Sequence, residues 1–222
     1  MRKARGIRVG VDFDNTIVCY DALFHRCARE RGLIPEGVPP TKQAIREYLW
    51  NLPGGNTPWT ELQSEVYGRR ILEADPFPGV RECFARCWAA DMRVSVISHK
   101  DRFPALGEKT DLRAAARMWL EAKGFARLLA ESAVFFEDSR EAKILRIQAE
   151  RCDGFVDDLA ELFGDPAFPQ GVRKMLFAPS GNPPAGGGTA DMAVCRDWDA
   201  IWEHIARLRD ERLAGTGTDP RR

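Results

Sequence analysis

The chain has 222 residues, with 33 basic and 33 acidic side chains and a formal net charge of zero. That length allows one well-buried core plus a modest insert, and the balanced charge, with no long run of one sign, predicts neither nucleic-acid binding nor attraction to a membrane surface. No apolar stretch approaches a membrane span, no signal-peptide core follows the basic Met1-Arg2-Lys3-Ala4-Arg5 start, and the six cysteines (Cys19, Cys27, Cys83, Cys87, Cys152, Cys195) lack zinc-ligand spacing, so a reducing cytoplasm is the expected compartment.

Residues 7–12 read as the first strand, an apolar run that stops at Asp12. Asp21 is placed to cap a helix with Leu23, Phe24, Cys27 and Ala28 on one face and Gly32 just past its end. Between Pro35 and Pro76 the character changes: Pro39-Pro40, Pro53-Gly54-Gly55 and Pro58 punctuate short helical pieces rich in aromatics. Residues 18–76 are therefore predicted to be an inserted, mostly helical segment. Pro78-Gly79 opens a helix with the apolar stripe Val80, Cys83, Phe84, Cys87 and Trp88.

Residues 92–97 form a short β-branched strand, and Thr110 or Asp111 starts a helix that ends near Gly124. A strand at 133–136, a helix at 139–151 and short strands at 155–156 and 175–177 follow. After the Gly/Pro loop 180–188, a last helix puts Trp198, Ile201, Trp202, Ile205 and Leu208 on one face. The tail from Ala214 is expected to be disordered.

Strands alternating with helices imply right-handed crossovers and a parallel sheet. The expected fold class is α/β, a Rossmann-like doubly wound parallel sheet built from residues 1–17 and 77–213. A small helical insert at 18–76 and a tail at 214–222 complete the organisation. In such sheets ligands bind beyond the carboxyl ends of the strands, and every candidate functional residue falls at one of those ends.

The most informative stretch is Val9-Gly10-Val11-Asp12-Phe13-Asp14-Asn15-Thr16-Ile17. Side chains alternate along a strand, so Asp12 and Asp14 project to one face and Phe13 to the other. Two crowded carboxylates repel unless a cation or proton lies between them, which suits phosphoryl chemistry better than a structural role. Aspartates also end strands as helix caps or turn formers, so the rest of the chain has to be weighed with them. An apolar strand ending in D-x-D-x-T resembles the first motif of the haloacid dehalogenase (HAD) superfamily. Val94-Ser95-Val96-Ile97-Ser98 resembles its second motif, an apolar strand ending in a hydroxyl, with a turn-forming serine as the alternative. His99 is open to two readings, a group that contacts substrate or protonates a leaving group and, preferred, a loop histidine bonded to backbone.

The third element of that family is a lysine or arginine facing the nucleophile. Asp138 followed by Glu141 reads as a capping box, which places Lys143 in the second turn of its helix, leaning toward the carboxyl edge of the sheet. Lys100 is the competing choice. The fourth element is an acidic pair: Phe155-Val156-Asp157-Asp158 resembles it, and Glu137-Asp138 is the rival, with Asp138 given a capping role. The link from Lys143 to Asp157 is short, which leaves the third element resting on position.

The resemblance implies a Mg²⁺-dependent phosphatase acting through an aspartyl-phosphate. Asp12 would be the nucleophile, Asp14 the acid and base, Ser98 a phosphate-binding hydroxyl and Lys143 the counter-charge. Asp12, the Asp14 backbone carbonyl and one or both of Asp157 and Asp158 would hold the metal. Thr16 would steady the loop by hydrogen bonding. Family dehalogenases lack an aspartate at the second position, which points to a phosphatase or phosphomutase. The insert between the first two motifs resembles a C1 cap, and its Lys42, Tyr48, Trp50, Trp59, Tyr67, Arg69 and Arg70 suit a nucleotide or sugar phosphate or simply pack the insert. The implied partner is a small phosphorylated metabolite, with no nucleic acid and no membrane, in an oligomeric state that the residues leave open. A phosphotransferase or mutase using the same aspartates is the alternative, and a non-catalytic binding protein on the same fold ranks third.

Overall fold

The computed structural model describes residues 6–129, 133–181 and 191–216. At its centre is β1 (Arg8–Val11), whose last three residues are buried. Parallel pairing joins β1 to β4 (Arg93–His99) on one side, and β4 to β5 (Val134–Glu137). On the other side β1 pairs with β6 (Gly154–Asp157), then β7 (Arg173–Phe177) and β8 (Met192–Cys195) follow. The order β5-β4-β1-β6-β7-β8 means that the chain winds outward from β1 in one direction and then in the other. A parallel sheet that reverses in this way opens a crevice at the carboxyl ends of its central strands.

Helices cover both faces of this sheet. On one face α6 (Arg140–Ala149) contributes Ile144 and Ile147 to a cluster with Ile97, Phe155, Phe163 and Leu176. Gly10 makes that packing possible: a Cβ there would lie 2.4 Å from the Phe155 ring. On the other face lie α4 (Val80–Ala89) and α8 (Trp198–Thr216). Phe84 meets Trp198 edge-on at 5.8 Å between ring centroids, and Phe77 meets Phe177 at 4.8 Å. Burying each such ring contributes roughly 1.5–3 kcal/mol. Trp88, assigned from sequence to the buried stripe of α4, is 67% exposed, because the last turn of the helix rotates it off the buried face.

Two compact units divide the chain. The first holds the described residues of Met1–Ile17, Phe77–His99 and Ala126–Arg222, and the second comprises Val18–Pro76 and Lys100–Phe125. Within the second, β2 (Val18–Cys19) pairs antiparallel with β3 (Asp75–Pro76), and α1 (Asp21–Glu30), α2 (Lys42–Trp50) and α3 (Asn56–Tyr67) pack together. Phe24 stacks on Trp59 at 5.1 Å, so these two aromatics form the core of the unit. α5 (Leu112–Ala122), which the sequence groups with the sheet, belongs to this second unit. Its Trp119 is fully buried and donates Nε1–H to the Ala74 carbonyl at 2.9 Å, a long-range anchor that no local pattern announces.

Several local assignments differ from the sequence reading. The N-cap of α1 is Tyr20, and Asp21 instead accepts from the backbone N–H of Lys42 at 2.8 Å. The N-cap of α6 is Ser139, whose Oγ accepts from Ala142 N–H at 3.1 Å, so Asp138 is not the cap. A serine one residue nearer the helix satisfies the same orphan donor, and only one side chain can take it. Asp111 does cap α5, accepting from Arg113 and Ala114. α8 runs on past Ala214 to Thr216; the rest of the tail expected to be disordered, residues 217–222, lies outside the described residues, like most of the 180–188 loop. Strands β2, β3 and β8 and the short helix α7 (Ala160–Phe163) carry too little periodicity to be read in advance.

Candidate active site

Asp12, Asp14, Ser98, Lys143, Asp157 and Asp158 lie in the first unit, at the carboxyl edge of its sheet, whereas the competing Lys100 belongs to the second. Asp12 follows β1 and its N–H donates to the Val156 carbonyl at 2.9 Å, which extends the β1–β6 pairing by one residue. Beyond it the chain turns sharply. Phe13 is fully buried, edge-on to Phe136, while Asp14 on the opposite side is partly exposed. Asn15 sits at φ 58°, a left-handed conformation that asparagine tolerates better than most residues, and Ile17 N–H closes the turn onto the Phe13 carbonyl at 3.1 Å. The D-x-D-N-T sequence thus codes its own turn, with both carboxylates held on the edge.

Val11 pairs with Val96, so β4 runs on past the end of β1 and brings Ser98 to the same edge. Ser98 is buried, and its Oγ donates to the His99 carbonyl at 3.4 Å. Asp157 ends β6, fully buried, and its Oδ1 accepts from Leu159 N–H at 3.0 Å, a local turn that fixes the carboxylate plane.

Lys143 projects from the first turns of α6 between two of these carboxylates. Its Nζ lies 2.5 Å from Asp12 Oδ1 and 2.6 Å from Asp157 Oδ2, and its side chain is 5% exposed. Burial opposes its charge, but the two aspartates outweigh burial and hold its pKa above the ordinary lysine value. Burial likewise pushes the Asp12 carboxyl up to about 7, against the pull of Lys143. A carboxylate in this position is poorly solvated, which favours its use as a nucleophile once a second cation is at hand.

Carboxylate oxygens of Asp12, Asp157 and Asp158 lie within 4.8 Å of one another. Three hard oxygen donors at this spacing fit an oxygen-seeking divalent cation. The rival pair fares differently: Glu137 accepts from Arg146 Nε at 2.7 Å, and that ion pair gives it a structural role. One assignment is overturned outright. Thr16 was expected to steady the loop by hydrogen bonding, yet its Oγ1 is fully buried and has no hydrogen-bond partner among the described residues.

Of the residues the sequence singles out in the insert, Trp59 is core, Arg69 pairs with Glu65 at 2.8 Å, and Arg70 pairs with Glu73 at 2.8 Å and with Glu30. Sequence reading missed these acidic partners, although Glu65 and Glu73 stand four and three residues away at helical spacing. No helix of the described residues is long and apolar enough to cross a membrane.

No protein-family model and no curated protein matches the sequence. Solved structures do match the fold. An L-2-haloacid dehalogenase superposes with a TM-score of 0.59 at 15% identity, covering 91% of this chain and 100% of its own. A HAD family hydrolase from Deinococcus radiodurans, with bound phosphate and sodium, gives 0.58 at 14% identity over 93% and 97% of the two chains. A HAD-hydrolase from Bacillus subtilis bound to magnesium gives 0.58 at 12% identity over 90% and 99%. Near-complete coverage of both partners, with a six-stranded parallel sheet in the order described above, identifies the architecture: this chain has the haloacid dehalogenase fold.

Proposed function

We propose that the chain is a HAD-superfamily phosphatase, a cytoplasmic hydrolase that releases phosphate from a small soluble phosphomonoester. The observation that carries the reading is the convergence of Asp12, Asp157 and Asp158 around a buried lysine, with Asp14 two residues from Asp12. Family dehalogenases lack an aspartate at the position of Asp14, so its presence supports a phosphatase over a dehalogenase.

In this reading Asp12 attacks phosphorus through a carboxylate oxygen, the ester oxygen leaves with a proton from Asp14, and an aspartyl-phosphate remains. Asp14 then removes a proton from water, the hydroxide attacks the same phosphorus, and phosphate departs with Asp12 restored. Lys143 balances the charge of Asp12 and fixes its orientation, and Ser98 supplies a donor for a phosphoryl oxygen. Asp12 and Asp158, with the Asp14 carbonyl, would hold Mg²⁺, which when bound neutralises charge on the transferring group. Asp157 is assigned a supporting part because both of its oxygens are engaged, one by Lys143 and one by Leu159 N–H.

Purified protein is expected to release phosphate from an aryl phosphate with Mg²⁺ and to stop on addition of EDTA. Halide release from a 2-haloacid without phosphate release would overturn the reading in favour of a dehalogenase, and transfer to an added alcohol would favour the phosphotransferase. Calorimetric titration separates the metal ligands. Asp158→Ala should lose Mg²⁺ binding, whereas Asp157→Ala should weaken it by about ten- to a hundredfold, the range for residues that orient a ligand. The reverse order would exchange their roles.

A further inference from the structure

Opposite the edge that holds Asp12, the first unit has a cavity of about 350 Å³ at the amino ends of β1 and β4. Three arginines line it: Arg8 from the start of β1, Arg93 from the start of β4 and Arg127 from the segment before β5. Arg8 and Arg93 are register partners in adjacent parallel strands, so their side chains leave the same face of the sheet side by side. Arg8 Nη1 donates to the Glu150 carbonyl at 3.0 Å. The Arg93 and Arg127 side chains are exposed and make no hydrogen bond or ion pair among the described residues. Trp88, 67% exposed, forms another wall.

Like charges side by side on neighbouring strands destabilise a sheet, and threonines would pair β1 with β4 without that repulsion. Compensation within the cavity is slight. Of its two carboxylates, Glu150 lies 3.9 Å from Arg146, and Asp91 makes no ion pair with any of the three arginines. What the arginines add is planar forks of N–H donors, which match phosphate oxygens. The Trp88 indole adds an apolar ring face on which a heteroaromatic base can stack. Asp91 adds an acceptor for an N–H or hydroxyl donor. The volume falls in the range of small-molecule sites.

From Arg93 to Ser98 β4 advances five residues, roughly 17 Å at the rise of a parallel strand, so the cavity is separate from the catalytic edge. We propose that it is a second ligand site, for a nucleoside monophosphate whose phosphate takes the donors of Arg93 and Arg127 and whose base lies against Trp88. Occupancy there does not depend on the phosphatase reading above.

The test titrates AMP, GMP, CMP and UMP calorimetrically into the full chain, with inorganic phosphate as the reference and EDTA present to prevent Mg²⁺-dependent turnover. At least one nucleotide is expected to bind about tenfold tighter than phosphate or more. Arg93→Met and Arg127→Met should each weaken that binding about tenfold, the worth of one hydrogen bond to a charged group. Trp88→Ala should weaken it about fivefold or more, the worth of one stacked base. Asp12→Asn should leave it unchanged. All three cavity side chains are exposed, and thermal melting checks that each variant folds as wild type does. Nucleotides that bind no tighter than phosphate would overturn the proposal. So would an affinity that survives both Arg93→Met and Arg127→Met but falls in Asp12→Asn, which would put the nucleotide at the catalytic edge instead.

Discussion

Asp12→Asn is expected to abolish phosphate release and to leave no phosphorylated protein in acid-quenched intact-mass spectra. The substitution keeps the size of the side chain and an oxygen that can accept from Lys143, so the variant should fold and keep the edge geometry. What it removes is the anionic oxygen that attacks phosphorus. Asp14→Asn should behave differently, because the nucleophile remains. Loss of a positioned proton donor costs about 10²–10⁴-fold, and the loss should grow as the leaving alcohol becomes more basic. Phosphorylated Asp14→Asn protein should also accumulate, since the same residue activates water in the second step. Wild-type rates for Asp14→Asn on an alkyl phosphate would remove Asp14 from the mechanism, and residual turnover in Asp12→Asn would move the nucleophile elsewhere.

Lys143→Met is expected to destabilise the metal-free protein by about 3–5 kcal/mol, the cost of leaving buried charge without its partner. Lys143 is the cation shared by Asp12 and Asp157, both buried, and methionine of similar length fills its space without its charge. The two carboxylates then face each other with nothing between them. Saturating Mg²⁺ should recover part of the loss, since a ligand that binds only the folded state at a hundredfold over its Kd stabilises by about 2.7 kcal/mol. Urea unfolding of wild type and variant, each with EDTA and with Mg²⁺, reads both effects. A variant as stable as wild type in EDTA would mean that Lys143 contributes no net stabilisation to this cluster, and an equal loss with and without Mg²⁺ would mean that the cation does not enter it.

Patterns that are local in sequence and act locally in space were legible from the residues alone. The Asp12-Phe13-Asp14 segment encodes a strand end and an alternation of faces within a few residues, and the structure has both; the left-handed turn at Asn15 was not read in advance. The α/β architecture was legible for the same reason, because a period of two followed by a period near 3.6 needs only neighbouring side chains to declare itself. Tertiary structure decided what depends on distant or competing partners. Lys143 and Asp12 are 131 residues apart, and only the folding of α6 against β4 and β5 brings them to 2.5 Å. Ser139 took the cap that Asp138 was assigned, since both offer an oxygen and only the backbone angle at the helix start selects between them. Trp119 tied α5 to the second unit through the Ala74 carbonyl, and Thr16 was buried without the bond its hydroxyl suggested. A sequence specifies which groups are available to bond; which of them meet depends on the long-range packing of helices and strands, where a side chain has several acceptable partners and its neighbours along the chain do not choose among them.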